Sequence, residues 1–296
     1  MNELSGIVVV NKPAGMTSHD VVSRLRRAFS TKKVGHAGTL DPMATGVLVA
    51  GINRGTKFLA HMVADDKRYI AEIALGTTTV TDDCEGEVLT QAPESELSAL
   101  TEEQILAALD SFRGDIMQKP TAVSAIKIDG KRAYQRVREG EDVDIPARPV
   151  TIHSLDVLGM SLGAQPRLQI AVHCSSGTYI RAIARDLGEA LGVGGMLTAL
   201  QRTSVGAFGL NKAHDLEALA ENPELSYTLD EVLPLCYPTL EVDASEARAL
   251  SMGKWLEPRG LKGIHAAVGP DGKAIALVKE SGKRLSVVFV ARPSTL

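Results

Sequence analysis

The chain has 296 residues, of which 44% are hydrophobic and 23% charged, and its formal net charge is −4. That length supports one large domain or a large one with a small companion, and no apolar run approaches the roughly 20 residues of a membrane span, so no membrane association is expected. Three widely spaced cysteines (Cys84, Cys174, Cys236) argue against a disulfide framework or a zinc knuckle, and seven histidines without an HxH or HxxxH pair give the expectation of no metal.

The start, "MNELSGIVVVNKPAG", has an acid and a very short apolar run ending in Lys-Pro, which reads as a buried strand rather than a secretory segment. A cytoplasmic protein is therefore expected. "TSHDVVSRLRRAFS" predicts a helix opened by a Thr17-x-x-Asp20 capping box, with Val21, Val22, Leu25 and Phe29 on one side and the arginines on the other. "RYIAEIALG" and "RLQIAVHCSSG" alternate as half-buried strands, the first through Tyr69, Ala71, Ile73 and Leu75, the second through Leu168, Ile170, Val172 and Cys174. "LTEEQILAALDSFRG" predicts a helix starting near Thr101 and stopped by Gly114. "GTYIRAIARDLGEALG" predicts another, with Tyr179, Ile183 and Leu187 at helical spacing.

Strands and helices mix without a strict βαβ rhythm, so the expected class is α+β. Two prolines in "VLPLCYPTLEVD" interrupt the pattern before a capped helix, "DASEARALSMG", and this sets the domain boundary. Beyond it, short alternating runs split by Pro-Asp-Gly and Ser-Gly turns predict a small meander barrel or sandwich. The division expected is 1–236 and 240–296.

A net acidic chain counts against nucleic-acid binding by the simplest test. The average conceals a pattern. Residues 21–40 carry Arg24, Arg26, Arg27, Lys32 and Lys33 with no acid, while acids gather in "TDDCEGEVLTQAPESE" and "DLEALAENPE". Such segregation can make a cationic face on an acidic protein.

One stretch stands out. In "VGHAGTLDPMATGVLVAG", Asp41 lies among small residues, is biased away from helical dihedrals by Pro42, and has Gly35, Gly38 and Gly46 close by. A turn begun by Asp-Pro and a working carboxylate both fit this pattern. No second carboxylate lies nearby, no Ser-His-Asp order is evident and no Walker-type loop exists, which leaves a single carboxylate as nucleophile or base.

Four blocks, "NKPAGMTSHD", "VGHAGTLDPMATGVL", "KRYIAEIALG" and "CSSGTYIRAIARDLG", resemble in order and spacing those of the bacterial tRNA pseudouridine-55 synthase family. The match spans most of residues 7–206. The resemblance implies a mixed, largely antiparallel sheet flanked by helices, a small C-terminal β-rich PUA-like domain, and an RNA-gripping insertion at 116–145. It implies a monomeric enzyme that acts on the T-stem and loop of tRNA and needs no metal or cofactor.

Asp41, on this resemblance, is the catalytic aspartate. It attacks C1′, attacks the uracil ring or takes the C2′ proton, three routes left open by the sequence. Tyr69 stacks on the flipped base and Arg181 pairs with the aspartate. His36 fills the place that the base leaves. Tyr179 and Leu200 match pocket residues, and Lys12 with Pro13 belongs to the first block and braces the loop. Lys127, Lys131, Arg132, Arg136 and Arg138 match the insertion and, with Arg24 and Arg27, would neutralise phosphates. Val123 stands where some relatives carry an aromatic residue.

Each position has a plainer reading: Tyr69 as a core tyrosine, Arg181 and Arg185 as a solvated helix face, His36 as a turn residue, and the basic stretches as solvated loops. A non-catalytic RNA-binding or RNA-folding protein using the same cleft is the alternative function. A hydrolase with an aspartyl intermediate would want a second acid that the sequence lacks.

Overall fold

The computed structural model describes residues 4–62, 66–123, 127–128, 131–132, 139 and 145–293, with the backbone alone for 127, 128, 131 and 132. The chain divides into two compact units. The first comprises Met1–Pro42, Gly46–Val63 and Ala207–Leu296, the second Met43–Thr45 and Ala64–Gly206.

In the first unit the strand Gly6–Lys12 is the centre, with Ile7, Val8, Val9 and Val10 all fully buried. A continuous run of β-branched residues suits a strand covered on both faces. It pairs antiparallel with Thr45–Ile52, which also pairs with Val34–Ala37, so that His36 lies opposite Ala50. Short segments at His214–Asp215 and Tyr227–Thr228 add one parallel and one antiparallel partner. The helix Ser18–Ala28 has the expected box: Asp20 N–H donates to Thr17 Oγ1 at 3.1 Å, and Thr17 N–H to Asp20 Oδ2 at 3.0 Å. Val21, Val22 and Leu25 are buried, while Phe29 is the C-cap and only half-buried.

Helix Leu229–Cys236, capped by Thr228 and Glu231, runs through Pro234, where the sequence predicted an interruption. One proline removes one backbone donor, and the buried Leu229, Val232 and Leu233 hold the helix in spite of it. The strands Thr239–Glu241, Ile264–Val268, Ala274–Ser281 and Arg284–Val290 then form a single four-stranded sheet, its first pair parallel and the rest antiparallel. Among the described residues this stretch forms that one open sheet, not the expected barrel or sandwich, and a helix does the covering. Leu250 of Ala244–Ser251 packs with Val242, Ala267, Ala276, Val278 and Leu285. Arg54 donates to the carbonyls of Val290 and Ala291, and Phe58 packs edge-on to Tyr237 and tilted against Phe289.

Among the described residues of the second unit, five strands pair antiparallel in the order Gly195–Val205, Lys67–Leu75, Arg167–Cys174, Arg148–Ser161, Gly114–Gln118, beside shorter strand pairs. The predicted alternation is observed: Tyr69, Ala71, Ile73 and Leu75 are buried, as are Leu168, Ile170, Val172 and Cys174. Helix Glu102–Asp110 has the Thr101 cap, and ends before Gly114, whose φ of 83° instead opens the next strand. Helix Ile180–Ala190 packs on Gly195–Val205. A Cβ at Gly188 would lie 2.0 Å from the Gly194 carbonyl carbon, so only glycine allows this approach. Tyr179 lies outside the helix as its N-cap, with extended dihedrals (φ −103°, ψ 110°), rather than in register with Ile183. Among the described residues, no helix is long and apolar enough to cross a membrane.

Candidate active site

Asp41 sits on the irregular stretch between Val34–Ala37 and Thr45–Ile52, half-buried, after a turn at Gly38 with φ of 74°. Both of its neighbours are pinned. Leu40 is buried; its N–H donates to Ser18 Oγ at 2.9 Å, and its carbonyl accepts from the same hydroxyl at 3.1 Å. The Pro42 carbonyl accepts from Gly15 N–H at 2.9 Å and from Lys12 Nζ at 3.2 Å. Lys12 is fully buried and also donates to the carbonyls of Pro13 at 2.8 Å and Met16 at 2.6 Å. Its ammonium donates inside the loop framework, and a fully buried charge is poorly placed for a direct contact with RNA phosphate.

The "NKPAGMTSHD" block thus has a mechanical meaning. Lys12, Gly15 and Ser18 hold the backbone on either side of the half-buried Asp41. His36 is half-buried on the adjoining strand.

In the second unit, Arg181 lies at the start of Ile180–Ala190 and is nearly fully buried, so the solvated-face reading fails for it. Its Nη1 lies 3.4 Å from Asp83 Oδ2 and donates to the Thr81 carbonyl at 2.8 Å, while Nη2 donates to the Val123 carbonyl at 3.1 Å. Asp83 accepts in turn from Thr81 Oγ1 at 2.5 Å and Glu85 N–H at 3.1 Å. A buried ion pair is tolerable only when its remaining donors and acceptors are served in this way. Arg185, one turn on, contacts Asp82 at 3.2 Å and Asp186 at 2.7 Å. Burial pushes the Asp82 carboxyl up from its ordinary value, against the opposing pull of Thr121 and the two arginines.

Asp83 was invisible to sequence reasoning because it stands in the acidic "TDDCEGE" run, which reads as surface. The backbone explains its burial: Cys84 N–H donates to the Leu197 carbonyl and Leu197 N–H to the Asp82 carbonyl, both at 3.0 Å. Tyr179 is held at both backbone groups by the Gln118 side chain, at 2.8 and 3.1 Å. Tyr69 is buried on its strand, opposite Val172 on one side and Arg202 on the other, and Leu200 is buried opposite Ala71.

Arg24 and Arg27 are exposed along the outer side of Ser18–Ala28. The backbone of Lys127–Ile128 pairs antiparallel with Lys131–Arg132. The side chains of Lys127, Lys131 and Arg132, and the whole of Arg136 and Arg138, lie outside the described residues.

Solved structures share this fold. A Cbf5–Nop10–Gar1 complex superposes with a TM-score of 0.74 at 23% identity, over 99% of this chain and 86% of that one. The class comes from the family models: residues 26–180 match the TruB family pseudouridylate synthase N-terminal domain, so the protein is an isomerase of the pseudouridylate synthase class. Residues 181–235 match the tRNA pseudouridylate synthase B C-terminal domain, and 237–292 the C-terminal domain of tRNA pseudouridine synthase II. The chain belongs to the TruB family. It is 66% identical to tRNA pseudouridine synthase B of Corynebacterium diphtheriae over 293 residues, covering 99% of this chain and 98% of that one. It is likewise 66% identical to that of Corynebacterium efficiens, with the same shares.

Proposed function

We propose that this protein converts the T-loop uridine of transfer RNA to pseudouridine, with Asp41 as the essential carboxylate. The observation that carries the reading is the pinning of the backbone on both sides of Asp41 in a TruB-family chain. The relatives named tRNA pseudouridine synthase B support tRNA as the substrate.

The chemistry suits one rigid carboxylate. The C1′–N1 bond breaks, the uracil turns, C5 joins C1′, and the proton lost from C5 is balanced by one gained at N1, so nothing enters or leaves. Asp41 opens the glycosidic bond. Arg181, the cation that the family resemblance assigns to Asp41, keeps it ionised, and Asp83 holds that arginine in place. Tyr69 stacks on the extruded base, with its hydroxyl assisting removal of the C5 proton, and His36 fills the vacated stack. Tyr179 and Leu200 line the base pocket. Lys12 keeps the loop rigid, while Arg24, Arg27, Lys127, Lys131 and Arg132 neutralise phosphates.

Residues 1–236 form the catalytic part, with 116–145 as an RNA-gripping insertion, and 240–296 a small PUA-like module. The apolar cluster confined to the C-terminal stretch and the family models meeting near residue 236 support that division. The protein works as a monomer in the cytoplasm.

The test uses transfer RNA tritiated at uridine C5, with tritium release as the readout beside filter binding. Asp41→Asn is expected to release none while binding RNA within a small factor of wild type. Appreciable turnover by this variant would remove Asp41 from its role.

A further inference from the structure

On the sheet of the second unit, Asp66, His153 and His173 converge on the face opposite Tyr69. His173 lies across from Arg68, and the alternation that buries Tyr69 and Val172 turns positions 68 and 173 the other way. His153 sits at a register shift in Arg148–Ser161, between Ile152, which pairs with Cys174, and Ser154, which pairs with His173. A bulge of this kind re-aims one side chain. Here it brings His153 over the neighbouring strand, with the two imidazole centroids 4.7 Å apart.

We propose that these three side chains form a binding site for a divalent transition-metal ion, zinc in the first instance, with a remaining position open to solvent. His153 Nε2 lies 3.2 Å and His173 Nε2 3.6 Å from the same atom, Asp66 Oδ2. Zinc bonds of about 2.0–2.1 Å at tetrahedral angles separate the ligand atoms by about 3.3–3.4 Å. The two Asp66 distances are close to this, and all three ligand atoms lie within 4.8 Å of one another, a span that rotation of exposed side chains can close on an ion. Two imidazoles and one carboxylate are a donor set for zinc and its neighbours rather than for magnesium or calcium. The side chains are between a quarter and a half exposed, which gives an ion a path in. Arg68 is exposed as well, so its charge is screened by water. An ion here would tie two strands to the start of Lys67–Leu75, three residues before Tyr69.

The experiment titrates zinc chloride into the full chain, stripped of metal with EDTA, by calorimetry, with cobalt(II) absorption as a second readout. Wild type is expected to take up one equivalent, and Asp66→Asn and His153→Ala to lose roughly tenfold or more in affinity. His153 is exposed, so its variants keep the fold, which circular dichroism checks. His153→Gln retains a hydrogen-bond donor but is a poor zinc ligand. It should bind as weakly as the alanine variant if the site holds metal. Wild-type zinc affinity in either His153 variant, or no uptake by wild type, would overturn the proposal and leave the cluster a hydrogen-bonded group.

Discussion

Lys12 Nζ lies 3.2 Å from the carbonyl oxygen of Pro42, and Gly15 N–H reaches the same oxygen at 2.9 Å. A fully buried ammonium thereby fixes the residue next to Asp41. Lys12→Met keeps the volume and removes the donor, stranding carbonyls at a cost of about 1–3 kcal/mol. Thermal melting should register that loss. Turnover should drop by up to about 100-fold, the effect of displacing a reacting group by an ångström, while RNA affinity stays near wild type. Equal loss of turnover and binding would show that Lys12 contacts RNA instead.

The Arg181–Asp83 pair is almost entirely shielded, with side-chain exposures of 6% and 4%. Asp83→Ala takes one carboxylate from a buried guanidinium that keeps its Thr81 and Val123 carbonyl partners, and should cost about 3–5 kcal/mol in urea unfolding. A double variant, Asp83→Leu with Arg181→Met, should cost less than the sum of the two single changes, since it removes both charges together. Strict additivity would mean that the pair carries no coupling.

Tyr69 offers a way to separate ring from hydroxyl. Tyr69→Phe should keep base flipping, read by a fluorescent reporter base, and slow product formation. Tyr69→Ala should lose both, because the stacking surface goes with the ring. A normal rate for the Phe variant would assign the hydroxyl no chemical part. A normal rate for the Ala variant would place Tyr69 outside the chemistry.

For the exposed arginines the measurement is salt dependence. Replacing Arg24 and Arg27 with alanine should weaken RNA binding and flatten the plot of log affinity against log salt by roughly 0.7–0.9 per lost phosphate contact. Charge on a merely solvated face would leave the slope unchanged.

Much of the local architecture was legible in the sequence because it depends on neighbours in the chain. The Thr17 capping box, the Thr101 cap and the alternation that buries Tyr69 and Val172 follow from short-range sterics and hydrogen bonding. The motif blocks also marked Asp41, since its loop is one continuous segment. Pro234 misled, because buried leucines and a valine on the same helix outweigh one lost backbone bond. Tyr179 misled too, because helical spacing continues past the point where the chain turns extended.

What the sequence could not disclose are the relationships made by strand pairing and burial. Asp83 looks like part of a solvated acidic run until backbone bonds to Leu197 carry it inside, beneath Arg181. The first block gives Lys12 a bracing part, but its partners, the carbonyls of Pro13, Met16 and Pro42, are visible only in the folded chain. The histidines show no metal spacing along the chain, yet a bulge in one strand and the register of the next set His153 and His173 against Asp66. In each case the free energy depends on groups remote in sequence, whose separation only the folded chain fixes.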